Sequence, residues 1–433
     1  MNYYSLNNKS PKASFKEALI NGLAPDRGLY FPESIESLGQ DFIKKIDQLS
    51  HQEIAFEAIK QFVGNEIPEN SLKEIIEKTL SFNFPLEQIE DNIYSLELFH
   101  GPTMAFKDVG AQFMAQCMGY FNRQSKTSNV TVLVATSGDT GGAVANGFLG
   151  VEGIDVVILY PSGKVSDIQE KQLTTLGNNI QAVEVNGTFD DCQEMVKTAF
   201  LDTELNSKKL TSANSINIAR WIPQMFYFFF AYKALKDKSK EITFSVPSGN
   251  FGNICAGIMA YKLGLPVKHF VAATNINDTI HQFLETGIYA PKTAQQTISN
   301  AMDVGDPSNF IRIQQLMNND IHKLKSIFSS YSFTDQQTKE GMKKLYKNAS
   351  YVSDPHGAIG YLGLKKYLKN KSLHNTNGIF LETAHPCKFL DTVENTIKTK
   401  VEIPLQIKSI LEKEKNSIKI NDYSEFKSFL LKS

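Results

Sequence analysis

The chain is poor in cysteine. Cys117, Cys192, Cys255 and Cys387 are its only four, widely separated in 433 residues and never in C-x-x-C spacing. That argues against a disulfide framework and against a zinc ribbon or finger. Three of the four fall in apolar helical patterns, where buried free thiols are common, and a reducing compartment fits. Net charge is also missing: 45 Lys and Arg stand against 46 Asp and Glu. No global field draws the chain to nucleic acid or an anionic membrane, so an anionic ligand needs a local site. Long apolar runs are absent as well. The densest, Phe226-Tyr-Phe-Phe-Phe-Ala-Tyr232, is soon followed by charge, far short of the roughly 20 residues of a spanning helix. Met1–Ser10 is polar, without a signal-peptide core, and Lys9 and Lys12 are too few for a transit peptide. The expectation is a cytoplasmic protein with no membrane and no nucleic-acid partner.

Motif absences narrow the chemistry further. The eight histidines form no H-x-x-H or H-E-x-x-H, so no metal site is expected, and His100, His356 and His385 read as loop donors. The glycine loops match neither the phosphate-binding G-x-x-x-x-G-K-[ST] nor the dinucleotide G-x-G-x-x-G pattern. What remains is an ordinary globular composition, 42% hydrophobic and 21% charged, in a chain long enough for two or three lobes.

Residues 1 to about 85 read as helices around the turn-like stretch Gly22–Pro32. From about residue 92, apolar or β-branched runs alternate with helical patterns. Asn92–Phe99, Val130–Ala135, Val156–Tyr160, Ile180–Val185, Ile242–Val246, Val267–Ala272 and Gly378–Leu381 read as strands. Phe106–Phe121 reads as a helix with positions 106, 109, 113 and 117 on one face. Such alternation predicts α/β architecture with largely parallel sheets, whose ligands gather at the C-terminal ends of strands. The last thirty residues are lysine-rich and read as a surface helical tail.

Several segments at strand ends carry the candidate chemistry. Lys107 opens a helix next to Met104, Ala105 and Phe106; the helix terminus and desolvation both favour its neutral amine, suited to a Schiff base. A solvated first-turn lysine is the alternative this position alone leaves open, and Asp108 reads as an ordinary helix-start acid. Ser248-Gly-Asn-Phe-Gly-Asn253 follows a strand and opens a helix, so its backbone N–H groups can converge on a phosphate. A turn that merely needs glycine leaves the same pattern. Thr136–Gly142 offers two hydroxyls, a carboxylate and N–H groups to an anionic ligand, or a plain helix cap. Asn214-Ser-Ile-Asn-Ile-Ala-Arg220 sets a guanidinium six residues beyond an Asn-Ser cap, suited to a phosphate dianion or to a surface position. Thr383 ends a strand and presents a neutral hydroxyl, to a ligand or to the next turn.

In this order the segments resemble the threonine synthase family. They are FHGPTMAFKD (99–108), SGDTG (137–141), NSINIAR (214–220), PSGNFGN (247–253), ATNIND (273–278), NAMDV (300–304) and TAHPCKF (383–389). Ser14–Pro32 is similar to that family's N-terminal domain. The resemblance implies a fold type II enzyme of pyridoxal 5′-phosphate (PLP), with two open twisted parallel-sheet lobes and a mainly helical N-terminal domain. The implied division is 1–85 for that domain, 86–130 with 203–433 for the large cofactor lobe, and 131–202 for a small mobile lobe. The implied reaction converts O-phospho-L-homoserine and water to L-threonine and phosphate. Lys107 would hold PLP and act as base for the proton transfers. Gly249, Asn250, Phe251, Gly252 and Asn253 would cradle its phosphate, and Thr383 would meet the pyridine nitrogen. Ser137, Asp139 and Thr140 would hold the substrate amino acid; Asn214, Ser215 and Arg220 would clamp its phosphate. A serine or threonine dehydratase has no use for that clamp. A PLP-binding regulatory protein without catalysis has no use for the substrate loops, and a nucleotide-binding module lacks its motifs here. Monomer and homodimer both stay open.

Overall fold

The computed structural model describes residues 1–125, 130–373 and 375–432. In the N-terminal region, β1 (Tyr3–Ser5) and β2 (Tyr30–Pro32) form a small antiparallel pair. The helices Phe15–Asn21 and His51–Val63 start at capping boxes, Ser14 with Glu17 and Ser50 with Glu53. Each box satisfies backbone N–H groups that have no partner inside the helix.

The remaining strands are β3 (Leu86–Glu90), β4 (Ile93–Glu97), β5 (Val130–Ala135), β6 (Ile154–Pro161), β7 (Ile180–Val185), β8 (Leu210–Ser212), β9 (Glu241–Pro247), β10 (His269–Thr274), β11 (Phe328–Ser332), β12 (Thr376–Glu382) and β13 (Ile418–Ile420). They build two sheets. The larger runs β11-β10-β9-β12-β4-β3 and is parallel except for its β3–β4 edge. The smaller runs β13-β7-β6-β5-β8 and is parallel throughout. Every residue of β5, β10 and β12 is buried. Helices cover both sheet faces, which is why these strands are buried at every position and show no regular apolar-polar alternation. Phe226–Ala234 is a helix buried from Phe226 to Tyr232; the His51 ring stacks on Phe230 at 4.1 Å, joining the N-terminal helices to the larger lobe. The architecture is therefore α/β with a helical N-terminal domain. No helix among the described residues is long and apolar enough to cross a membrane.

The tail departs from expectation. Ile418 pairs with Val183, and the helix Tyr423–Lys432 buries Phe426 and Leu430 in the smaller lobe's core with Val183 and Met195. Residues 418–432 thus complete the smaller sheet instead of lying loose on the surface. Their apolar positions are few and flanked by lysines such as Lys427, which pairs with Asp202 at 2.8 Å and Glu204 at 2.9 Å. Strand β8 also joins the smaller sheet, Leu210 lying opposite Thr131.

Candidate active site

The C-terminal ends of β4, β5, β9 and β12 open on one cavity of about 390 Å³ between the two sheets. Lys107, Ser137, Asp139, Thr140, Asn214, Ser215, Arg220, the loop 249–253 and Thr383 all border it. The structure therefore brings together every residue expected to meet cofactor or substrate.

Lys107 is set by a turn stitched to the end of β12. Ala105 bridges to Ala384, and the Phe106 N–H donates to the Thr383 carbonyl at 2.9 Å. Met104 takes a left-handed conformation (φ 58°) to make the turn. Lys107 then begins the helix Lys107–Ser125, with its amine 5.5 Å from the Phe106 ring centre. Burial pulls its pKa down to about 8; the Asp139 carboxylate opposes this, while the Lys388 and Arg220 cations reinforce it. Asp108 is no ordinary helix-start acid. It is buried, accepts hydrogen bonds from the Thr103 N–H (2.9 Å) and hydroxyl, and burial raises its pKa to about 6. Its carboxylate fixes the turn that aims Lys107.

The loop after β9 is shaped for an anion. Phe251 adopts φ 60°, so the helix Gly252–Lys262 starts abruptly at the cavity border, where its first N–H groups have no partner within the helix. Asn250 is tied on three sides: its amide donates to Ser215 Oγ (2.7 Å), its Oδ1 accepts from Ser308 N (2.6 Å), and its carbonyl accepts from Asn309 (3.1 Å). Asn253 is buried with both side-chain polar atoms unpartnered. A buried amide without partners is costly unless a ligand meets it. A phosphate placed here would meet helix N–H groups and that amide, so the donor set fits PLP.

The loop after β5 turns on Thr136, whose hydroxyl accepts from Gly138 N (3.0 Å) and Gly141 N (2.8 Å). Asp139 is buried; it accepts from Gln169 Nε2 at 2.9 Å and pairs with Lys388 Nζ at 2.6 Å, which holds its pKa well below the usual carboxylate range.

In the 214–220 segment the cap differs from expectation. Asn217, not Asn214 or Ser215, caps the short helix Ile218–Trp221 by accepting from Ala219 N at 3.0 Å. That frees Asn214 to reach the Ala135 carbonyl (3.2 Å) and Ser215 to receive Asn250. Arg220 is only 2% exposed; it donates to the Ala213 carbonyl and leaves Nε unpartnered. Burial lowers its pKa to about 10, so it enters the cavity as a cation.

Several cavity or supporting residues escaped the motif reading. Lys388 lies inside the TAHPCKF string, yet the string gives no hint of its carboxylate partner. Arg312 is fully buried and donates to the carbonyls of Tyr30 (3.0 Å) and Ile216 (2.6 Å), tying the N-terminal domain to the 214–220 segment. His356 is not a loop donor. It lies in the first turn of the helix Pro355–Asn370, its Nδ1 bonded to Asp354 at 2.5 Å and its Nε2 accepting from Ala301 N at 3.2 Å. In ATNIND and NAMDV, Asn275 and Asn277 donate to Asp303 (2.8 and 3.2 Å), which also accepts from Thr297. This network holds one cavity wall in place. His385 caps the turn Pro386–Phe389, and His100 pairs with Glu97 at 2.7 Å.

Comparison with known proteins agrees with this geometry. Residues 80–380 match the pyridoxal-phosphate dependent enzyme family, residues 2–80 the threonine synthase N terminus and residues 357–430 the threonine synthase C-terminal family. A threonine synthase of Buchnera aphidicola is 43% identical over the whole of both chains, and that of Escherichia coli is 41% identical over 94% of each. The chain belongs to the threonine synthase family. The crystal structure of the Escherichia coli threonine synthase superposes with a TM-score of 0.92 at 39% identity over both full chains. A PLP-bound threonine synthase from Brucella melitensis gives 0.92 at 33% identity, covering 99% of this chain and 98% of that one. Threonine deaminase from Solanum lycopersicum, at 17% identity and a TM-score of 0.55 over 76% of this chain and 94% of that one, shares the fold alone. As in other threonine synthases, the cofactor is pyridoxal 5′-phosphate, and the chain is a PLP-dependent lyase of threonine biosynthesis.

Proposed function

We infer that the cavity converts O-phospho-L-homoserine and water to L-threonine and phosphate, with PLP held on Lys107. One observation carries the residue assignment: a depressed lysine amine, an anion cradle and a buried arginine face the same 390 Å³ space. Gly249, Asn250, Phe251, Gly252 and Asn253 would hold the cofactor phosphate, and Thr383 would offer the pyridine nitrogen a neutral hydroxyl. When bound, PLP supplies a sink for electron density developing at the substrate's Cα and Cβ. Lys107 is the base of the reaction. A pKa near 8 leaves a useful neutral fraction at physiological pH, so its Nζ can take the Cα proton, assist at Cβ, and return a proton to product. Arg220, Asn214 and Ser215 would hold the γ-phosphate; the unpartnered Arg220 Nε supports that role. Ser137, Asp139 and Thr140 would receive the amino-acid end of the substrate.

The small lobe, 131–202 with β8 and β13 added to its sheet, is read as the unit supplying those substrate contacts, and 1–85 as the domain that Arg312 ties to the site. Four buried free thiols support a cytoplasmic setting. Incubation with O-phosphohomoserine, with threonine and phosphate assayed separately, tests the reading. Equal yields are expected. Phosphate without threonine would make the chain a different lyase, and serine deamination faster than phosphohomoserine turnover would make it a dehydratase.

A further inference from the structure

Beyond the residues that would touch cofactor and substrate, a lysine with no exposed side chain lies behind the cavity wall, against Asp139 of its lining. Lys388 Nζ lies 2.6 Å from Asp139 Oδ1 and 3.0 Å from the Thr103 carbonyl, and its side chain is 0% exposed. It sits in the turn after β12 of the larger sheet, whereas Asp139 starts the helix after β5 of the smaller one. The pair therefore spans the cleft between the lobes. The Thr103 carbonyl is a second meeting point, because Gln172 of the smaller lobe donates to it at 3.0 Å. Gln169 completes the hold on Asp139 at 2.9 Å. An ion pair this buried costs desolvation of both groups, so stability alone is a weak reason for it.

We propose that Lys388 is a positioning residue that keeps the Asp139 carboxylate engaged across the cleft and so prevents it from pairing with Lys107. This rests on the assignment of Lys107 as the PLP lysine. The charged groups acting on Lys107 are Asp139, Lys388 and Arg220. Those around Lys388 are Asp139 and Asp108, with His385 and Cys387 on its own turn. Loss of the Lys388 charge acts on Lys107 twice in the same direction: a nearby cation disappears and a carboxylate is released to bind the ammonium. Both make the proton harder to remove.

The test uses the full-length protein stripped of cofactor, with the rate of PLP capture followed against pH and the modified residue identified by borohydride reduction and peptide mapping. In Lys388→Met the midpoint should move alkaline by at least about one unit, slowing capture near neutrality roughly tenfold. Lys388→Arg, which keeps the charge, should stay near the parent. If Lys388→Met does not accumulate folded, Lys388→Gln retains an amide donor for Asp139 and Thr103 and is read the same way. An unshifted midpoint in the uncharged variant, or an equal shift in Lys388→Arg, overturns the proposal. A pyridoxyl group on a lysine other than 107 in the parent would instead overturn the assignment beneath it.

Discussion

Gly249→Ala tests whether the loop after β9 is a rigid cradle. A Cβ at this position would lie 2.7 Å from Met302 Cα and 2.9 Å from the Ala301 carbonyl oxygen. Carbon contacts are favourable at about 3.5–4.0 Å, so the two segments must separate by several tenths of an ångström. Neither neighbour is the free end of a side chain. Ala301 N is bonded to His356, which is itself fixed by Asp354. The displacement therefore falls on the 248–250 side, where Asn250 is tied to Ser215, Ser308 and Asn309. Overpacking of this kind costs about 1–3 kcal/mol. If opening the cradle relieves the strain, the PLP dissociation constant rises roughly five- to a hundred-and-fifty-fold. Gly252→Ala is the control, since its Cβ would meet Asn309 Nδ2 at 3.4 Å and Ser215 Cβ at 3.8 Å, ordinary contacts. There, at the first residue of a helix, alanine should leave the stripped protein as stable as the parent or about 0.4–1 kcal/mol more so. PLP titration by visible absorbance and thermal melts of the stripped proteins give both quantities. If Gly249→Ala binds PLP within about twofold of the parent and melts with it, the steric argument is wrong.

Lys107→Ala should abolish turnover without unfolding the protein, and borohydride reduction should place the pyridoxyl group on residue 107 in the parent and nowhere in the variant; a parent label on another lysine, or an undiminished label in the variant, sinks the assignment. Capture of PLP by stripped protein should rise with pH and level off above about 8, where burial has set the Lys107 pKa. Because that pKa lies below the ordinary 10.5, the unfolded chain holds the proton over the interval between them. Stability of the stripped protein should accordingly rise from about pH 8 to about 10.5 relative to Lys107→Met, as denaturant titrations at each pH would show. Arg220→Ala should lower kcat/KM for phosphohomoserine at least about thirtyfold, from roughly 2–5 kcal/mol for a buried charge-assisted contact, and Arg220→Lys should lower it less. A parallel fall in slow serine deamination, with PLP binding unchanged, would mark Arg220 as structural.

Sequence by itself determined what depends on neighbouring residues. A glycine loop between strand and helix needs only its own backbone to aim N–H groups at an anion, so 248–253 and 136–142 were legible as candidate anion sites. The runs Val130–Ala135 and Ile180–Val185 have the same bounds as β5 and β7, because largely buried strands are rich in apolar and β-branched residues whatever packs on them. Family resemblance supplied the proposed roles of Lys107, Thr383 and Arg220, which local pattern left open. Tertiary structure decided what depends on burial and on partners distant in sequence. It alone withdrew Lys107 and Asp108 from water, gave the helix cap to Asn217, brought Lys388 to Asp139, and added the β13 tail to the smaller sheet. A lysine or aspartate codes identically for a solvated surface and for a desolvated cleft. Its pKa and its partner are set by the dielectric and the neighbours that folding brings to it, and these follow from packing across the chain rather than from spacing along it.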